Sequence, residues 1–405
     1  MGKCRRKLKD GEYFNSANNR YEFHYTDKLG KKRVITSARL EPNDPLPKSK
    51  RGGKSLREKE AEILKLLQNG VDVDSGKITV YETTLKFLEV LYAKKNITYN
   101  TKQSYARICR TLDKMELGHM AIRDVKPEHC DQWFVDMKDK YKGSAMQTDL
   151  SLIKRTFEFA VDRDWIVKNP MKNLTVSRDD STTRDPLNVE KMQKFLDFVK
   201  TEKHSHHCWE LIHVLFWTGL RASEVCGLTL DDLDFEKRVI YVNKQIQKQN
   251  GVRVVTKVKT KNGIRVIPMV REVEEALKAE IEKRHLVEEP ILYGEDGVTA
   301  YSGFVFLSTR RRMPMLRENV EEYMRNCIKR YNERYPDDTI SYCVPHVARH
   351  TFCTNLQQNG INPVTLQHIM GHGNIKTTLS WYTGVKAMPE QVAEVDGIVT
   401  KILTP

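Results

Sequence analysis

A short stretch around Arg221 carries residue types suited to binding a phosphate group. Gly219 permits a sharp bend, after which we expect a new helix with Arg221 in its first turn. Helix N-termini attract anions, and a guanidinium can hold two phosphate oxygens at once. Glu224 follows three residues later and could orient Arg221, although an arginine and a glutamate at this spacing more often form a surface ion pair.

A second candidate phosphate ligand lies beside a proton acceptor. His346 and Arg349 are three residues apart, so they share one face if this stretch is a helix. That face would present an imidazole next to a guanidinium, which suits acid–base chemistry on a phosphate. The competing interpretation is a histidine that caps a helix, followed by an exposed arginine.

A candidate nucleophile follows further along the chain. His372 adjoins Gly371, where we expect a sharp backbone, and Tyr382 lies ten residues later on a predicted helix. Tyrosine is a known covalent nucleophile, but its pKa is about 10, so ionisation at pH 7 costs about 4 kcal/mol. Neighbouring arginines and a histidine base would offset much of that cost. A tyrosine at a helix edge is otherwise usually a packing residue.

A predicted β-hairpin supplies lysines that could protonate a leaving group. Valine-rich runs at 253–259 and 264–269 are interpreted as strands, and the Asn-Gly dipeptide between them is a strong hairpin signal. Lys259 and Lys261 would stand near this turn. The alternative is a hairpin tip whose lysines are merely solvated.

Together these residues would make a site for attack on a phosphodiester. Such chemistry depends mostly on positioning and on stabilising charge at the non-bridging oxygens, which Arg221, Arg349 and His372 could do. The sequence has no phosphate-binding glycine loop, no His-Glu-x-x-His motif and no evident acidic cluster for magnesium. The ligand-rich run at 204–208 has no second cluster to complete a zinc site. We therefore expect chemistry that needs no metal and no other cofactor.

The whole pattern resembles the signature of the tyrosine recombinases, the phage integrase family, and most of all the integrases of conjugative transposons. Four motifs carry this resemblance, and they are specific only in combination. They read TGLRASEVCGLTLDDLDF, KTKNGIRVIPM, HVARHTFCTNL and LQHIMGHGNIKTTLSWYTG. The resemblance implies a site-specific DNA recombinase that breaks and rejoins DNA through a 3′-phosphotyrosyl intermediate, without ATP.

The resemblance also implies a role for each residue that binds the phosphate. Arg221 and Arg349 would hold the scissile phosphate, and His372 would support it by hydrogen bonding. Glu224 would buttress the site.

The proton-transfer roles follow from the same resemblance. Tyr382 would be the nucleophile and His346 its general base. Many relatives place the tyrosine nine residues after the last histidine, where Trp381 stands here, but a tryptophan cannot act as the nucleophile. A hairpin lysine would protonate the departing 5′-hydroxyl. Lys259 fits the Lys-Thr-x-x-x-x-Arg pattern of integrases, and Lys261 is the second candidate.

The first segment that must position this site covers residues 1–75. Basic residues outnumber acidic ones there, strands are predicted at 21–25 and 33–37, and Ser55 and Glu58 form a capping box that opens a helix. The segment resembles the arm-type DNA-binding domain, which implies a three-stranded sheet plus a helix. A solvated charged extension is the alternative.

Two further segments complete the organisation. Residues 76–175 show helical periodicity and begin with a capping box at Thr79 and Glu82, and they resemble the SAM-like core-binding domain. Residues 186–405 mix helices and strands and resemble the catalytic domain, ending in a tail that relatives donate to a neighbouring protomer. The expected fold class is therefore multidomain α+β, mainly helical with small sheets.

Composition supports a DNA partner. The 405 residues carry a formal net charge of +14, which attracts polyanions. No apolar run approaches the roughly 20 residues of a membrane span, and the eight cysteines form no Cys-x-x-Cys pair, as in reducing compartments. We expect a bacterial cytoplasmic protein, associated with the nucleoid when it acts.

The expected partner is double-stranded DNA, at core-type and arm-type sites, with no membrane. The resemblance further implies a homotetramer on DNA and allows an accessory excision factor. Two other functions fit parts of the pattern. A type IB topoisomerase would use similar chemistry as a monomer, and a decayed recombinase would bind DNA as a regulator without cutting it.

Overall fold

The computed structural model describes residues 7–27, 30–45, 53–71, 77–141, 143–176, 185–258, 263–284, 288–309, 312–371, 393 and 395–400. The chain divides into two compact units, Met1–Thr182 and Thr183–Pro405. No helix in the described part of the chain is long and apolar enough to cross a membrane.

The first unit begins with a small antiparallel sheet. Its strands are β1 (Glu12–Asn15), β2 (Arg20–Thr26) and β3 (Lys32–Ser37), in that order across the sheet. Helix α1 (Leu56–Gln68) follows, and its N-terminus has the predicted capping box between Ser55 and Glu58. Only a few side chains form the local core, chiefly Phe23, Leu40 and Leu56. The two predicted strands and the capping box are confirmed.

The rest of the first unit is helical. Its helices are α2 (Val80–Lys94), α3 (Tyr99–Leu112), α4 (Glu116–His119), α5 (Pro127–Lys140) and α6 (Gly143–Val161). The predicted Thr79–Glu82 capping box opens α2. The main core includes Trp133, Met137 and Phe157, all buried.

The second unit combines helices with short strands. The helices are α7 (Val189–Thr201), α8 (Trp209–Thr218), α9 (Ala222–Cys226), α10 (Arg271–Glu282), α11 (Arg317–Arg334), α12 (Pro345–Gln358) and α13 (Pro363–Met370). The strands are β4 (Leu233–Asp234), β5 (Val239–Val242), β6 (Lys244–Gln249), β7 (Val252–Lys257), β8 (Arg265–Pro268), β9 (Leu292–Tyr293) and β10 (Ala300–Tyr301). The fold is mainly helical with small antiparallel sheets, as predicted.

Helix α8 is the centre of the second unit. Every residue from 210 to 218 is buried, including Glu210 and His213, so this part of the helix has no solvent-exposed face. It contacts α7, α10 and α12, as expected for a mainly apolar helix that is buried on all sides. Its C-terminal end therefore has a fixed position within the core.

The predicted hairpin at 262–263 is wrong in its strand pairing. β7 pairs with β6, whereas β8 pairs with β5, so the two predicted partners belong to different sheets. The tight hairpin lies instead at Asn250–Gly251, where both residues have positive φ, 48° and 86°. β8 pairs with β5 because that register places Ile240 opposite Ile267 in the core.

A short C-terminal piece packs on the same chain. Val395, Ile398 and Val399 are buried in the core of the second unit. Arg238 donates from both terminal nitrogens to the Asp396 carboxylate, at 2.7 and 3.1 Å. Donation of this tail to a neighbouring protomer stays a prediction.

Replacing Phe157 by alanine should destabilise the helical part of the first unit by about 3–5 kcal/mol, because a cavity in a packed core adds to the lost burial. Hydrogen–deuterium exchange of the full-length protein, read on peptides from α5 and α6, measures the change. Val135→Ala, at an exposed position of α5, is the control and should shift stability by no more than about 0.5 kcal/mol. Equal protection in both variants would contradict the placement of Phe157 in the core.

Candidate active site

The bend after α8 determines where Arg221 lies. Gly219 ends α8 with φ of 61°, in the left-handed region that favours glycine. A Cβ atom there would stand 2.5 Å from Cδ1 of Phe352 and 3.1 Å from Sδ of Met370. The backbone angle and the packing therefore both require glycine. The chain turns out of the core, and the Arg221 side chain is 41% exposed.

Arg221 is held by the carboxylate of Glu224. The Arg221 amide donates to Oε2 of Glu224 at 2.9 Å, and Nη1 donates to Oε1 at 2.6 Å. Arg221 is the N-cap residue of α9, one position before the predicted first turn. The predicted contact with Glu224 is present, but it is no surface pair, because the Glu224 side chain is fully buried.

Arg265, on β8, makes the second pair with Glu224 and was missed by the sequence analysis. Its Nη1 and Nη2 donate to Oε1 and Oε2 of Glu224 at 3.1 and 2.9 Å. Its Nε donates to the Ile369 carbonyl at 2.7 Å, and Nη1 also donates to the Gly263 carbonyl at 3.1 Å. The sequence did carry one sign of this role. The arginine that ends the Lys-Thr-x-x-x-x-Arg pattern is also the first residue of an otherwise apolar strand.

The two arginines keep Glu224 ionised inside the protein. Burial raises the pKa of this carboxyl, but hydrogen bonds from Arg265 and the charges of Arg265 and Arg221 outweigh burial and lower it to about 2. A carboxylate that remains charged at neutral pH can go on accepting from both guanidiniums.

Arg349 is fixed by backbone carbonyls instead of a carboxylate. It lies on α12 and is only 4% exposed. Its Nη1 donates to the Gly219 carbonyl at 2.5 Å, and Nη2 donates to the Met370 carbonyl at the end of α13. Burial, and next the charge of Arg221, lowers the pKa of Arg349, although a guanidinium stays protonated at pH 7. Arg349 thus joins the bend after α8 to the end of α13.

His346 lies one turn before Arg349, near the start of α12, and is exposed. Its Nε2 is 3.1 Å from Nε2 of His350, one turn later on the same helix. A hydrogen bond between two imidazoles requires one ring nitrogen to donate and the other to accept. This His346–His350 contact was not predicted.

The structure therefore brings Arg221, Glu224 and Arg349 together and adds Arg265. Gly371 ends α13 with φ of 61°, so the sharp backbone predicted before His372 is present. The other predicted site residues lie outside the described residues, namely Lys259, Lys261, His372 and Tyr382. Among the residues that the structure describes, no three His, Cys, Asp or Glu side chains are grouped to hold a metal ion.

Glu224→Gln should lower the free energy of unfolding at pH 7 by about 3 kcal/mol, because Arg265 loses its buried counter-charge. The pKa of Glu224 lies below its ordinary value of 4.5 in the folded state, so its stabilisation is complete above pH 4.5 and is lost as pH falls towards 2. The difference from wild type should shrink over that range. This difference in the free energy of unfolding is measured by urea unfolding at each pH, monitored through hydrogen exchange in α8 and α12.

The control for that measurement is Glu282→Gln, at an exposed position near the end of α10. It should leave stability within about 0.5 kcal/mol of wild type at every pH. A difference for Glu224→Gln that did not change between pH 7 and pH 3 would contradict the lowered pKa.

Comparison with known families gives two matches along the chain. Residues 186–388 match the Phage integrase family. Residues 2–67 match a family described as the DNA binding domain of tn916 integrase. The first match contains Arg221, Glu224, Arg265 and Arg349, and the second contains the N-terminal sheet and nearly all of α1.

Individual relatives align over nearly the whole chain. The transposase from transposon Tn916 of Enterococcus faecalis is 34% identical over 388 residues, which cover 93% of this chain and 91% of that protein. A XerC-like tyrosine recombinase of Caldanaerobacter subterraneus subsp. tengcongensis is 26% identical over 381 residues, 89% of this chain and 93% of its own.

Solved structures agree with these relatives. The Tn1549 transposon integrase in complex with a circular intermediate DNA is 34% identical, with a TM-score of 0.69, over 76% of this chain and 96% of that one. A lambda integrase tetramer bound to a Holliday junction shares the fold, at 16% identity and a TM-score of 0.53 over 91% of this chain and 97% of that one. This chain belongs to the phage integrase family and is a tyrosine recombinase, an enzyme that recombines DNA.

Proposed function

We propose that this protein is the integrase and excisionase of a mobile element of the conjugative-transposon type. The observation that carries the proposal is the cluster of Arg221 and Arg349 around the Gly219 bend, with Glu224 buried behind it. The Tn916 transposase and the Tn1549 integrase, the second bound to circular intermediate DNA, support the same assignment.

The arginine cluster would bind the scissile phosphate. Arg221 is partly exposed, and Nη1 is its only side-chain nitrogen in the hydrogen bonds to Glu224, so its other donors can face phosphate oxygens. Arg349 adds a second positive charge from a nearly dry position, where charge interacts more strongly. His372 would donate a further hydrogen bond. These groups would stabilise the charge that builds up on the non-bridging oxygens.

Tyr382 would then perform the covalent step. Its oxygen attacks phosphorus, the P–O5′ bond breaks, and a 3′-phosphotyrosyl bond forms. His346 takes the tyrosine proton, and the His346–His350 contact gives that proton a second site. Lys259, or else Lys261, gives a proton to the departing 5′-oxygen. Attack by a 5′-hydroxyl reverses the sequence and rejoins the strand, so the reaction uses no ATP. The proposed side chains would carry the chemistry without a metal ion.

The remaining parts of the chain would recognise DNA. Residues 1–75 would bind arm-type sites, 76–175 would bind the core site, and 186–405 would carry the chemistry. Recombination joins two duplexes, so the working form would be a homotetramer, with an accessory excision factor as an additional partner. The protein would act in the bacterial cytoplasm, on nucleoid DNA.

Tyr382→Phe should abolish the covalent protein–DNA adduct, because phenylalanine has no nucleophilic oxygen. The assay incubates the protein with a nicked duplex of the element end and detects an SDS-resistant adduct. Tyr293→Phe, at an exposed tyrosine of β9, is the control and should form the adduct at the wild-type rate. An adduct that persists in Tyr382→Phe would refute the choice of nucleophile. Relaxation by the wild type of a plasmid without an element end would favour a topoisomerase.

The two lysines can be separated by changing the leaving group. Lys259→Ala should slow cleavage by about 10²–10⁴-fold, the usual contribution of a general acid, and a duplex with sulfur at the bridging 5′ position should restore the rate. A thiolate leaves without protonation because its pKa, about 8.5, is low. Lys261→Ala should behave like wild type on both duplexes. If sulfur rescued only Lys261→Ala, the assignments would be exchanged.

A further inference from the structure

We propose that Arg265 is a positioning residue that sets the geometry of the candidate active site without touching DNA. The inference rests on the proposed function and deepens it. Arg265 ties three separate segments together through one buried guanidinium: α9 through Glu224, the start of β8 through Gly263, and the end of α13 through Ile369.

The geometry of these contacts excludes a direct role in phosphate binding. The Arg265 side chain is 1% exposed, and each of its three nitrogens already donates a hydrogen bond within the protein. A planar guanidinium with a bidentate carboxylate has little freedom to turn. Arg265 therefore acts on the site only through the groups that it holds.

Each group that Arg265 holds is bonded to a residue of the proposed chemistry or lies close to one in sequence. Glu224 holds Arg221. Gly263 follows shortly after the two candidate lysines in sequence. Ile369 immediately precedes Met370, whose carbonyl accepts from Arg349. A shift of Arg265 would therefore be passed on to both arginines that we propose as phosphate ligands.

The end of α13 shows most clearly why an arginine is suited to this position. The last carbonyls of a helix have no partner within the helix and need donors from elsewhere. Two consecutive carbonyls, of Ile369 and Met370, accept from Arg265 and Arg349 respectively. Removing Arg265 would leave the first of them without this donor and would leave Glu224 with Arg221 as its remaining partner.

Fold stability alone does not require this arrangement. A buried ion pair often contributes no more to stability than apolar side chains of similar volume, because the loss of hydration offsets the attraction. The directions of the four hydrogen bonds, in contrast, cannot be reproduced by an apolar residue or by a lysine, which has a single nitrogen. The need to position these partners therefore explains why an arginine stands at position 265.

The charges around Glu224 offer a readout that is specific for positioning. They come from Arg221 on its own segment, Arg265 on β8 and Arg349 on α12. Arg265 is the largest influence that lowers the pKa of Glu224, and burial opposes it. Without Arg265 this pKa rises, so Glu224 would take up a proton at a higher pH than in the wild type, and its protonation would loosen Arg221.

The test compares single-turnover cleavage of the nicked element-end duplex by wild type, Arg265→Met and Arg265→Lys. Arg265→Met should cleave on the order of 100-fold more slowly, the effect expected of a misplacement of about 1 Å, and should bind the duplex within about twofold of wild type. Arg265→Lys should recover part of the rate, because it restores the charge next to Glu224 without the forked geometry.

Lys244→Met is the matched control. Lys244 forms a nearly buried ion pair with Asp232 in the same unit, so its loss also removes a buried charge pair. All variants are assayed at a temperature where circular dichroism shows them folded. The control should cleave at the wild-type rate per folded molecule, which separates loss of stability from loss of geometry.

The pH profile completes the test. The ratio of the Arg265→Met rate to the wild-type rate, measured from pH 8 down to pH 5.5, should fall as pH is lowered, because only the variant has lost the hydrogen bonds and charge of Arg265 that lower the pKa of Glu224. A merely structural residue would give a ratio that does not depend on pH.

The outcomes separate this inference from the proposed function. Suppose that the wild type cleaves the duplex. The positioning role alone would then be overturned if Arg265→Met cleaved at the wild-type rate, or if it lost no more activity than Lys244→Met does. The role would also be overturned by a deficit in which DNA affinity falls as much as the rate does. An absence of adduct from the wild type itself would instead overturn the proposed function.

Discussion

One buried carboxylate organises the candidate active site. Transfer of an unpaired carboxylate into a protein core is so unfavourable that the group would normally take up a proton. Glu224 remains charged because Arg265 and Arg221 approach it from two sides. Their charges are in turn tolerable at close range only because the carboxylate lies between them. The buried carboxylate and the two guanidiniums therefore stabilise one another.

The backbone supplies the rest of the arrangement. Arg349 and Arg221 carry like charges and repel each other. Two backbone carbonyls nevertheless hold Arg349 in place by accepting its hydrogen bonds. One of these carbonyls belongs to Gly219, the residue that turns the chain towards Arg221. The positions of the two arginines are therefore linked through a single peptide bend, which is itself anchored by the apolar helix α8.

Local features were predictable from the sequence and long-range pairings were not. The capping boxes at Ser55 and Thr79 and the contact between Arg221 and Glu224 each involve residues three apart, so their geometry follows from helical periodicity. The partner of β8 is a strand more than twenty residues earlier, and an Asn-Gly signal carries no information about that choice. Arg265 was missed for the same reason, since it meets Glu224 across 41 positions and Ile369 across 104.

The guanidiniums of Arg265 and Arg349, which bind the last carbonyls of α13, affect how this end of the helix can unfold locally. Helix ends usually fray independently, because their last carbonyls exchange protein donors for water at little cost. Here the last turn cannot unwind unless β8 and α12 release it together, and both belong to the core of the second unit. We therefore expect this helix end to open together with the surrounding core and not to fray by itself. Gly371 thus leaves α13 directly after two carbonyls that are hydrogen-bonded to the core elements β8 and α12.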